Sequence, residues 1–308
     1  MTRFLAVLLH HGNVLLCNCD LNKKMGVGIL YKIVKKRDLN PTVCLMEVLA
    51  PTIAKKALAG QFIILKIDEF GERIPLTVAD YDREQGTITI IFQKVGKTTL
   101  KLGDMNEGDF IQDFVGPLGI ASHFDGMKRV AVVGGGVGCA IAYPQAKALH
   151  NLGAHVDLIA GFRSKDIVIL EEEMEAACTN LHLCTDDGSY KEKALVTDVL
   201  RRLIESGEKY DAVIAIGPLM MMKFVSALTK EYGIKTIVSM NPIMIDGTGM
   251  CGGCRLTVGG EVKFACVDGP DFDGHQVDYD EAIRRSAVFK GKQDHDRDEY
   301  CNLMKGVK

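Results

Sequence analysis

A change of hydrophobic period near residue 126 limits the fold more than any other feature of the chain. Upstream, short runs rich in branched and aromatic residues cover 29–34, 43–49, 61–67, 87–92 and 110–115. Turn signals separate them, among them Leu39-Asn40-Pro41, Ala59-Gly60, Phe70-Gly71, Gln85-Gly86 and Glu107-Gly108-Asp109. Six or so strands at this spacing, with no more than a turn of helix over 54–58, predict a small antiparallel barrel. Downstream, strands over 128–133, 154–160, 181–184, 212–216 and 235–240 alternate with helices. The helices end at 149 or cover 170–177, 194–205 and 220–232. That alternation predicts a parallel sheet with helices on both faces, a β plus α/β architecture overall. Such sheets take ligands beyond the carboxyl ends of their strands.

Composition removes several classes of function. Lys and Arg total 37 against 40 Asp and Glu, a net charge of −3, so no cationic excess is available to hold nucleic acid. No run of 18 apolar residues offers a transmembrane helix. The apolar stretch at 4–9 is broken by His10, His11, Gly12 and Asn13, and bulky Leu15 and Leu16 precede Cys17. A signal peptide is therefore the lesser reading. Residues 1–24 are expected to be a poorly ordered extension, or to reflect the choice of start site. Ten cysteines, scattered but for Cys251, Cys254 and Cys266, fit a reducing compartment with one metal site, and a cytoplasmic location.

Several loops carry residues suited to phosphate or nucleotide. In Arg73-Ile74-Pro75-Leu76-Thr77 an Arg and a Thr flank a Pro, and a guanidinium forms bidentate bonds to a diphosphate. A surface Arg beside an edge-strand Pro is the competing reading. Gly96-Lys97-Thr98-Thr99 offers backbone N–H groups and hydroxyls without the full Walker A spacing, and Gly116-Pro117-Leu118-Gly119 is expected to close the barrel with a tight turn. Gly134-Gly135-Gly136-Val137-Gly138 lies between a strand and a helix, Thr185-Asp186-Asp187-Gly188 follows another strand, and Gly217-Pro218 a third. The glycine run lacks the G-x-G-x-x-G spacing, so three loops at one sheet edge, rather than one motif, predict the nucleotide site. Asp157, about 20 residues on, suits a ribose or a structural role, while Arg163 and Lys165 suit a phosphate. The choice between NAD and NADP stays open on these residues.

Cys251 and Cys254 are followed, after eleven intervening residues, by Cys266. Thiolates on a Gly-rich loop suit zinc or an iron–sulfur cluster, and three of them leave a fourth ligand open. Four residues separate Asp246 from Cys251, so Asp246 stands where a C-x4-C-x2-C loop carries its first cysteine. An iron–sulfur cluster is the preferred reading beside domains suited to flavin and nicotinamide.

From about residue 27 to 285 these motifs resemble the small (alpha) subunits of NADH-dependent reduced ferredoxin:NADP oxidoreductases, also called sulfide dehydrogenase beta subunits, within the ferredoxin reductase superfamily. They are also similar to the electron-transfer subunit of dihydroorotate dehydrogenase. The most specific pieces are Asn241-Pro242-Ile243-Met244-Ile245-Asp246-Gly247-Thr248-Gly249-Met250-Cys251-Gly252-Gly253-Cys254-Arg255 and Phe264-Ala265-Cys266-Val267-Asp268-Gly269-Pro270. The resemblance implies FAD on Arg73, Pro75, Leu76 and Thr77, with its diphosphate at Gly96, Lys97, Thr98 and Thr99. It implies NAD(H) at Gly134, Gly135, Gly136, Gly138, Asp187, Gly217 and Pro218. One [2Fe-2S] cluster is expected on Asp246, Cys251, Cys254 and Cys266, with Asp246 an oxygen ligand. The dihydroorotate dehydrogenase subunit has a cysteine first, so Asp246 favours the ferredoxin-linked branch. The chain departs from the family pattern in residues 1–24 and in Ile216, where many ferredoxin reductases place Cys before Gly-Pro.

The implied organisation is a FAD-binding barrel over 25–125, an NAD-binding α/β domain over 126–240, a small [2Fe-2S] module over 241–285 and a tail over 286–308. The implied function is an oxidoreductase subunit relaying electrons among NADH, FAD and the cluster. Its implied partner is a larger subunit with FAD and [4Fe-4S] that handles NADP(H) and ferredoxin, a heterodimer capable of electron bifurcation or confurcation. Hydride transfer centred on flavin requires no catalytic side chain, and His123, His150, His155, His182 and His275 are expected to be structural or surface groups. The Met run at 220–222 is expected to pack one helix side into the core. The competing functions are electron transfer to a dihydroorotate dehydrogenase and a non-redox, zinc-stabilised nucleotide-binding module.

Overall fold

The computed structural model describes residues 30–304. The expectations for residues 1–24 and for a strand start at Ile29 fall outside the described residues.

The first unit is a near-closed antiparallel sheet. Its strands are β1 (Tyr31–Asn40), β2 (Val43–Leu49), β3 (Phe62–Lys66), β4 (Ile74–Asp82), β5 (Thr87–Gln93), β6 (Phe110–Ile111) and β7 (Asp113–Leu118), in the spatial order β6-β1-β2-β5-β4-β3-β7. Period-2 alternation directs Cys44, Met46 and Val48 of β2 and Ile88, Ile90 and Phe92 of β5 into one buried cluster. The opposite faces are not solvated. Val43, Leu45 and Ile91 join a second cluster with Ala140, Ala142 and Ala146, which docks the barrel on its neighbour. Burying each of the three larger side chains contributes about 1.5–3 kcal/mol.

Two short helices complete this unit: α1 (Pro51–Ala54) and α2 (Lys97–Asp104). The sequence reading of Gly96 to Thr99 as a loop stops short, because those residues open a helix. Thr99 Oγ1 accepts the N–H groups of Gly96 (3.0 Å) and Val95 (3.1 Å), and Leu102 is fully buried. Gly116, Pro117 and Leu118 lie within β7, so the expected tight turn comes after them, at Gly119.

The second sheet has β8 (Arg129–Gly135), β9 (His155–Phe162), β10 (Asn180–Thr185), β12 (Ala212–Ile216) and β13 (Thr236–Ser239) running parallel. A two-residue strand β11 (Glu192–Lys193) adds to β10. Helices α3 (Cys139–Asn151), α4 (Glu171–Ala176), α5 (Val196–Glu205) and α6 (Leu219–Glu231) connect the strands. The all-parallel expectation needs correction. A strand β16 (Asp271–Asp273) pairs antiparallel with β13, Asp271 opposite Ser239, which makes the sheet mixed. This strand comes from the cysteine-bearing stretch, so the chain leaves the sheet at Ser239 and returns at Asp271.

Between those points lies the hairpin β14 (Arg255–Val258) and β15 (Glu261–Phe264). Cys254, Ala265 and Cys266 are buried in a cluster shared with Phe62 and Ile64 of the barrel and Val238 and Phe272 of the sheet. Helix α7 (Tyr279–Ser286) rests on α6 through Tyr279 Oη and Ser226 Oγ, 2.8 Å apart. The tail is helical over α8 (Lys290–Met304), and Tyr300 Oη donates to Asp104 of α2 at 2.8 Å. Among the described residues no helix is long and apolar enough to cross a membrane.

Candidate functional site

A cavity of about 1080 Å³ opens at the carboxyl edge of the second sheet. Its walls are Gly135, Gly136, Val137 and Gly138 after β8, Arg163 and Ser164 after β9, and Asp186 after β10. Ile216, Gly217 and Pro218 after β12, Ser239 and Asn241 after β13, and Thr42 and Gln93 of the barrel close it. Gly138 explains how two of these loops meet. A Cβ there would stand 2.5 Å from the Ile216 carbonyl oxygen and 2.7 Å from Gly217 Cα. Glycine lets the two backbones touch, and the turn 136–138 that leads into α3 and the N-terminus of α6 then face the same space.

The structure sorts the sequence candidates at this edge. Gly135, Gly136, Gly138, Gly217 and Pro218 line the cavity together. Gly134 faces Cys139 and Ala142 of α3 instead. Asp186 lines it, whereas the carboxylate of Asp187 turns back to accept the N–H (2.9 Å) and hydroxyl (2.7 Å) of Ser189. Met221 lines it, Met222 is buried in the core and Met220 is exposed. Arg163 reaches the cavity, while the Lys165 ammonium lies over the Tyr190 ring at 5.1 Å. Thr197, Asp198, Arg201 and Phe224 also line it, and no local sequence pattern marks them.

Asp157 lies among groups far along the chain that satisfy its carboxylate. Asn180 Nδ2 donates at 2.7 Å and Tyr210 Oη at 2.9 Å, with His155 and His182 Nε2 each 3.5 Å away. Burial favours its neutral form, but His182, Asn180 and Tyr210 outweigh burial and hold the carboxyl well below the usual range. This network keeps Asp157 structural, with His155 and His182 standing beside it.

In the barrel, Pro75, Leu76 and Thr77 lie in β4 opposite Ile64, Ile63 and Phe62 of β3. The β4–β5 ladder begins only at Val78, so the missing N–H of Pro75 costs no bond on that side. Arg73 precedes the strand; its Nε donates to the Ile245 carbonyl at 2.9 Å and one Nη lies 3.9 Å from Asp113. Thr98 Oγ1 donates to the neighbouring Glu72 at 2.6 Å, which brings the start of α2 beside Arg73. A guanidinium next to the N–H groups of Lys97 and Thr98 is a donor set suited in chemistry to a diphosphate.

The Ile245 carbonyl belongs to the cysteine loop. Asp246 accepts N–H bonds from Thr248 (3.0 Å) and Cys251 (2.7 Å), and these donors, Thr248 foremost, hold its carboxyl below the usual range. The sulfurs of Cys254 and Cys266 approach to 3.3 Å. Burial first, then Cys254, pushes the Cys266 thiol up to about 12. Cys251 is exposed, and its sulfur accepts the Gly253 N–H at 3.4 Å. Two adjacent thiols, a third on the same turn and an ionised carboxylate bonded to that turn fit an iron–sulfur centre in chemistry, and metal binding releases the thiol protons. Among the described residues only His295, Asp296 and Glu299 of α8, none of them buried, bring three ligand atoms of this kind mutually within 4.8 Å. The four loop donors are neighbours without being drawn to one point.

A family model described as the iron-sulfur cluster binding domain of dihydroorotate dehydrogenase B matches residues 241–278. The chain is 56% identical over 272 residues to an uncharacterized protein in the adh 3′ region of Clostridium beijerinckii, covering 86% of this chain and 92% of that one. It is 45% identical to a dihydroorotate dehydrogenase B (NAD(+)) electron transfer subunit homolog of Thermotoga maritima, covering 87% and 95%. It superposes, with a TM-score of 0.84 and 43% identity, on a chain of the NADH-dependent reduced ferredoxin-NADP oxidoreductase, covering 90% of this chain and 100% of that one. The arrangement of cavity, barrel and cysteine loop therefore belongs to a known lineage: the chain is a member of the family of small FAD- and iron–sulfur-linked electron-transfer subunits shared by ferredoxin-NADP oxidoreductases and dihydroorotate dehydrogenase B.

Proposed function

We propose that this chain is the NAD(H)-reactive subunit of a ferredoxin:NADP oxidoreductase, with one FAD, one [2Fe-2S] cluster and a larger flavin and iron–sulfur subunit as partner. The observation that carries the reading is the position of Arg73. One guanidinium beside the start of α2 also bonds the loop of Asp246, and a flavin diphosphate held there would adjoin a cluster on that loop. Asp246 in the first ligand position supports the ferredoxin-linked branch, as does the likeness to the oxidoreductase chain. A second reading, electron transfer to a dihydroorotate dehydrogenase, is favoured by the family match over 241–278.

When bound, FAD takes up the two electrons of a hydride and the cluster carries electrons singly. The protein binds and orients. The glycine turn 136–138 before α3 would offer N–H groups to a diphosphate, and the contact between Gly138 and Gly217 fixes the cavity floor. Ile216 supplies an apolar wall where a thiol is common, in keeping with chemistry that needs little acid–base help from side chains. Asp166, Asp186, Asp198 and Glu231 outnumber Arg163 and Arg201 in the lining, which disfavours an additional ribose phosphate and supports NAD(H) over NADP(H). Asp246, Cys251, Cys254 and Cys266 would hold the cluster, and Arg73, with Gly96, Lys97, Thr98 and Thr99, the flavin diphosphate.

Anaerobic purification with co-purifying partners, followed by flavin and metal analysis and separate titrations with NADH and NADPH, tests this. One FAD, two irons, bleaching by NADH and a large attached flavoprotein are expected. One zinc without flavin would overturn the reading. An attached dihydroorotate dehydrogenase would replace it with the second.

A further inference from the structure

We infer that Arg285 is a positioning residue for the iron–sulfur loop, turning the peptide between Gly253 and Cys254 and biasing the centre there toward its reduced form. The inference rests on the cluster assignment proposed above. Arg285 is half-buried in the last turn of α7, and its Nη2 donates to the Gly253 carbonyl at 3.2 Å across 32 residues of sequence. An arginine near a helix C-terminus ordinarily serves the carbonyls of its own helix. This one serves the turn between Cys251 and Cys254.

The arm that carries it is braced. Asp278 caps α7 by accepting the Glu281 N–H at 2.8 Å, and Glu281 in turn accepts the Thr257 N–H of β14 at 3.1 Å. Tyr279, buried against Ser226, anchors the same helix to α6. Among the described residues Arg285 has no ion-pair partner within 4.0 Å, so its charge is not neutralised by a carboxylate.

The turn has the polarity that such a cation reinforces. The Gly252–Gly253 peptide points its carbonyl at Arg255 Nη1 (3.3 Å) and its N–H at the Cys251 sulfur (3.4 Å). The next peptide points its carbonyl at Arg285, and a planar trans peptide then carries the Cys254 N–H on the opposite side. Adding an electron to an iron–sulfur centre adds negative charge, which nearby cations and N–H donors stabilise. Removing the Arg285 charge therefore makes the centre harder to reduce.

The test uses the full chain with its co-purified partner, as wild type, R285Q and R285K. Iron, sulfide and FAD are assayed, and the iron–sulfur signal is followed by electron paramagnetic resonance during a mediated dithionite titration. R285Q is expected to keep its iron and FAD while its reduced-to-oxidised ratio at a fixed poise falls about tenfold, about 59 mV for one electron. R285K is expected to restore most of that ratio. An R285Q protein with full iron that titrates like wild type overturns the inference. If R285Q loses iron, an iron-replete R285K with the wild-type ratio supports the inference, and loss of iron from both with a lowered Tm overturns it in favour of a structural prop. A wild-type chain that takes up no iron and sulfide is a different failure, since it removes the cluster assignment itself.

Discussion

Gly138 and Gly252 stand in two glycine-rich loops, 134–138 and 247–253, that look alike in sequence, yet the two positions need glycine for opposite reasons. Gly138 has φ −60°, open to any residue, but lies against the backbone of Ile216 and Gly217. Gly252 has φ +66°, and its closest neighbour is Phe264 at 3.8 Å, so it has space and lacks only an L-residue conformation. Position 138 is constrained by distant backbone and position 252 by its own turn. The nucleotide cavity is thus a packed construction, shaped before any ligand arrives. The cysteine loop leaves space at Gly252, and its four donors still have to converge on a metal.

The largest expected effect separates the two regions outright. C266S, or C254S, removes one of the adjacent buried sulfurs and should abolish the iron–sulfur absorption. Bleaching of the flavin by NADH should persist, because the cavity takes no wall from either cysteine. Iron analysis beside a flavin-bleaching titration checks this. Loss of flavin along with iron would break the comparison and make the two regions one cooperative unit.

G138A comes next. The new methyl group meets backbone on two sides, which a rotamer change cannot relieve. Overpacking of this kind costs about 1–3 kcal/mol, so NADH affinity should fall about tenfold or more, with iron content unchanged. Stopped-flow bleaching across NADH concentrations gives the apparent affinity.

How far these regions could be read from sequence follows the same division. Period-2 and period-3.6 patterns are local, and they located β2 and β12 to the residue. They were blind to part of the barrel: β1 runs six residues beyond its expected end, and the nine-residue β4 had no strand range assigned to it. Helix α2 escaped because Thr98 and Thr99 are β-branched, Gly103 lies inside it and it is only eight residues long. Strand β16 escaped because three residues, Asp-Phe-Asp, carry no pattern; only pairing with β13 makes them a strand. At the cavity, Gly-rich loops signal themselves, whereas Arg201 and Phe224 enter from helices α5 and α6 and depend on tertiary packing. Nothing in the sequence separates Asp186, in the cavity wall, from Asp187, which bonds Ser189. Arg285 is likewise legible only once α7 has been folded back onto the loop.

A third prediction concerns the seam between the regions. Asp271 of β16 accepts from Ser122, beside Gln145 of α3, and Asp271 Oδ1 and Gln145 Oε1 are both buried without a partner. Burial raises the Asp271 pKa, against the bonds from Ser122, Ser239 and Gln145 and the nearby His123. The stabilising effect of its proton is complete below the ordinary carboxyl value of about 3.9, where folded and unfolded chains both hold it. As pH rises the unfolded chain releases its proton first, so stability drains until the folded carboxyl titrates. Between about pH 4 and 7, Tm should therefore fall more in wild type than in D271N, by on the order of a few degrees. Parallel curves in calorimetry would show that Asp271 is charged in the folded protein.

The smallest effect tests the local half of the comparison. G252A adds a methyl group that meets nothing closer than 3.8 Å, so its cost is that of an L-residue at φ +66°, about 1–2 kcal/mol. Asn tolerates that region better, and G252N should recover part of the lost Tm with iron and NADH bleaching intact in both variants. At Gly138 the bulkier G138N should be worse than G138A, because the obstacle there is space. The order of the two substitutions should thus reverse between the loops, alanine the better tolerated at 138 and asparagine at 252. An unchanged order would mean that the turn at 252 is also held by long-range packing, and the distinction between a packed loop and a locally folded one would fail.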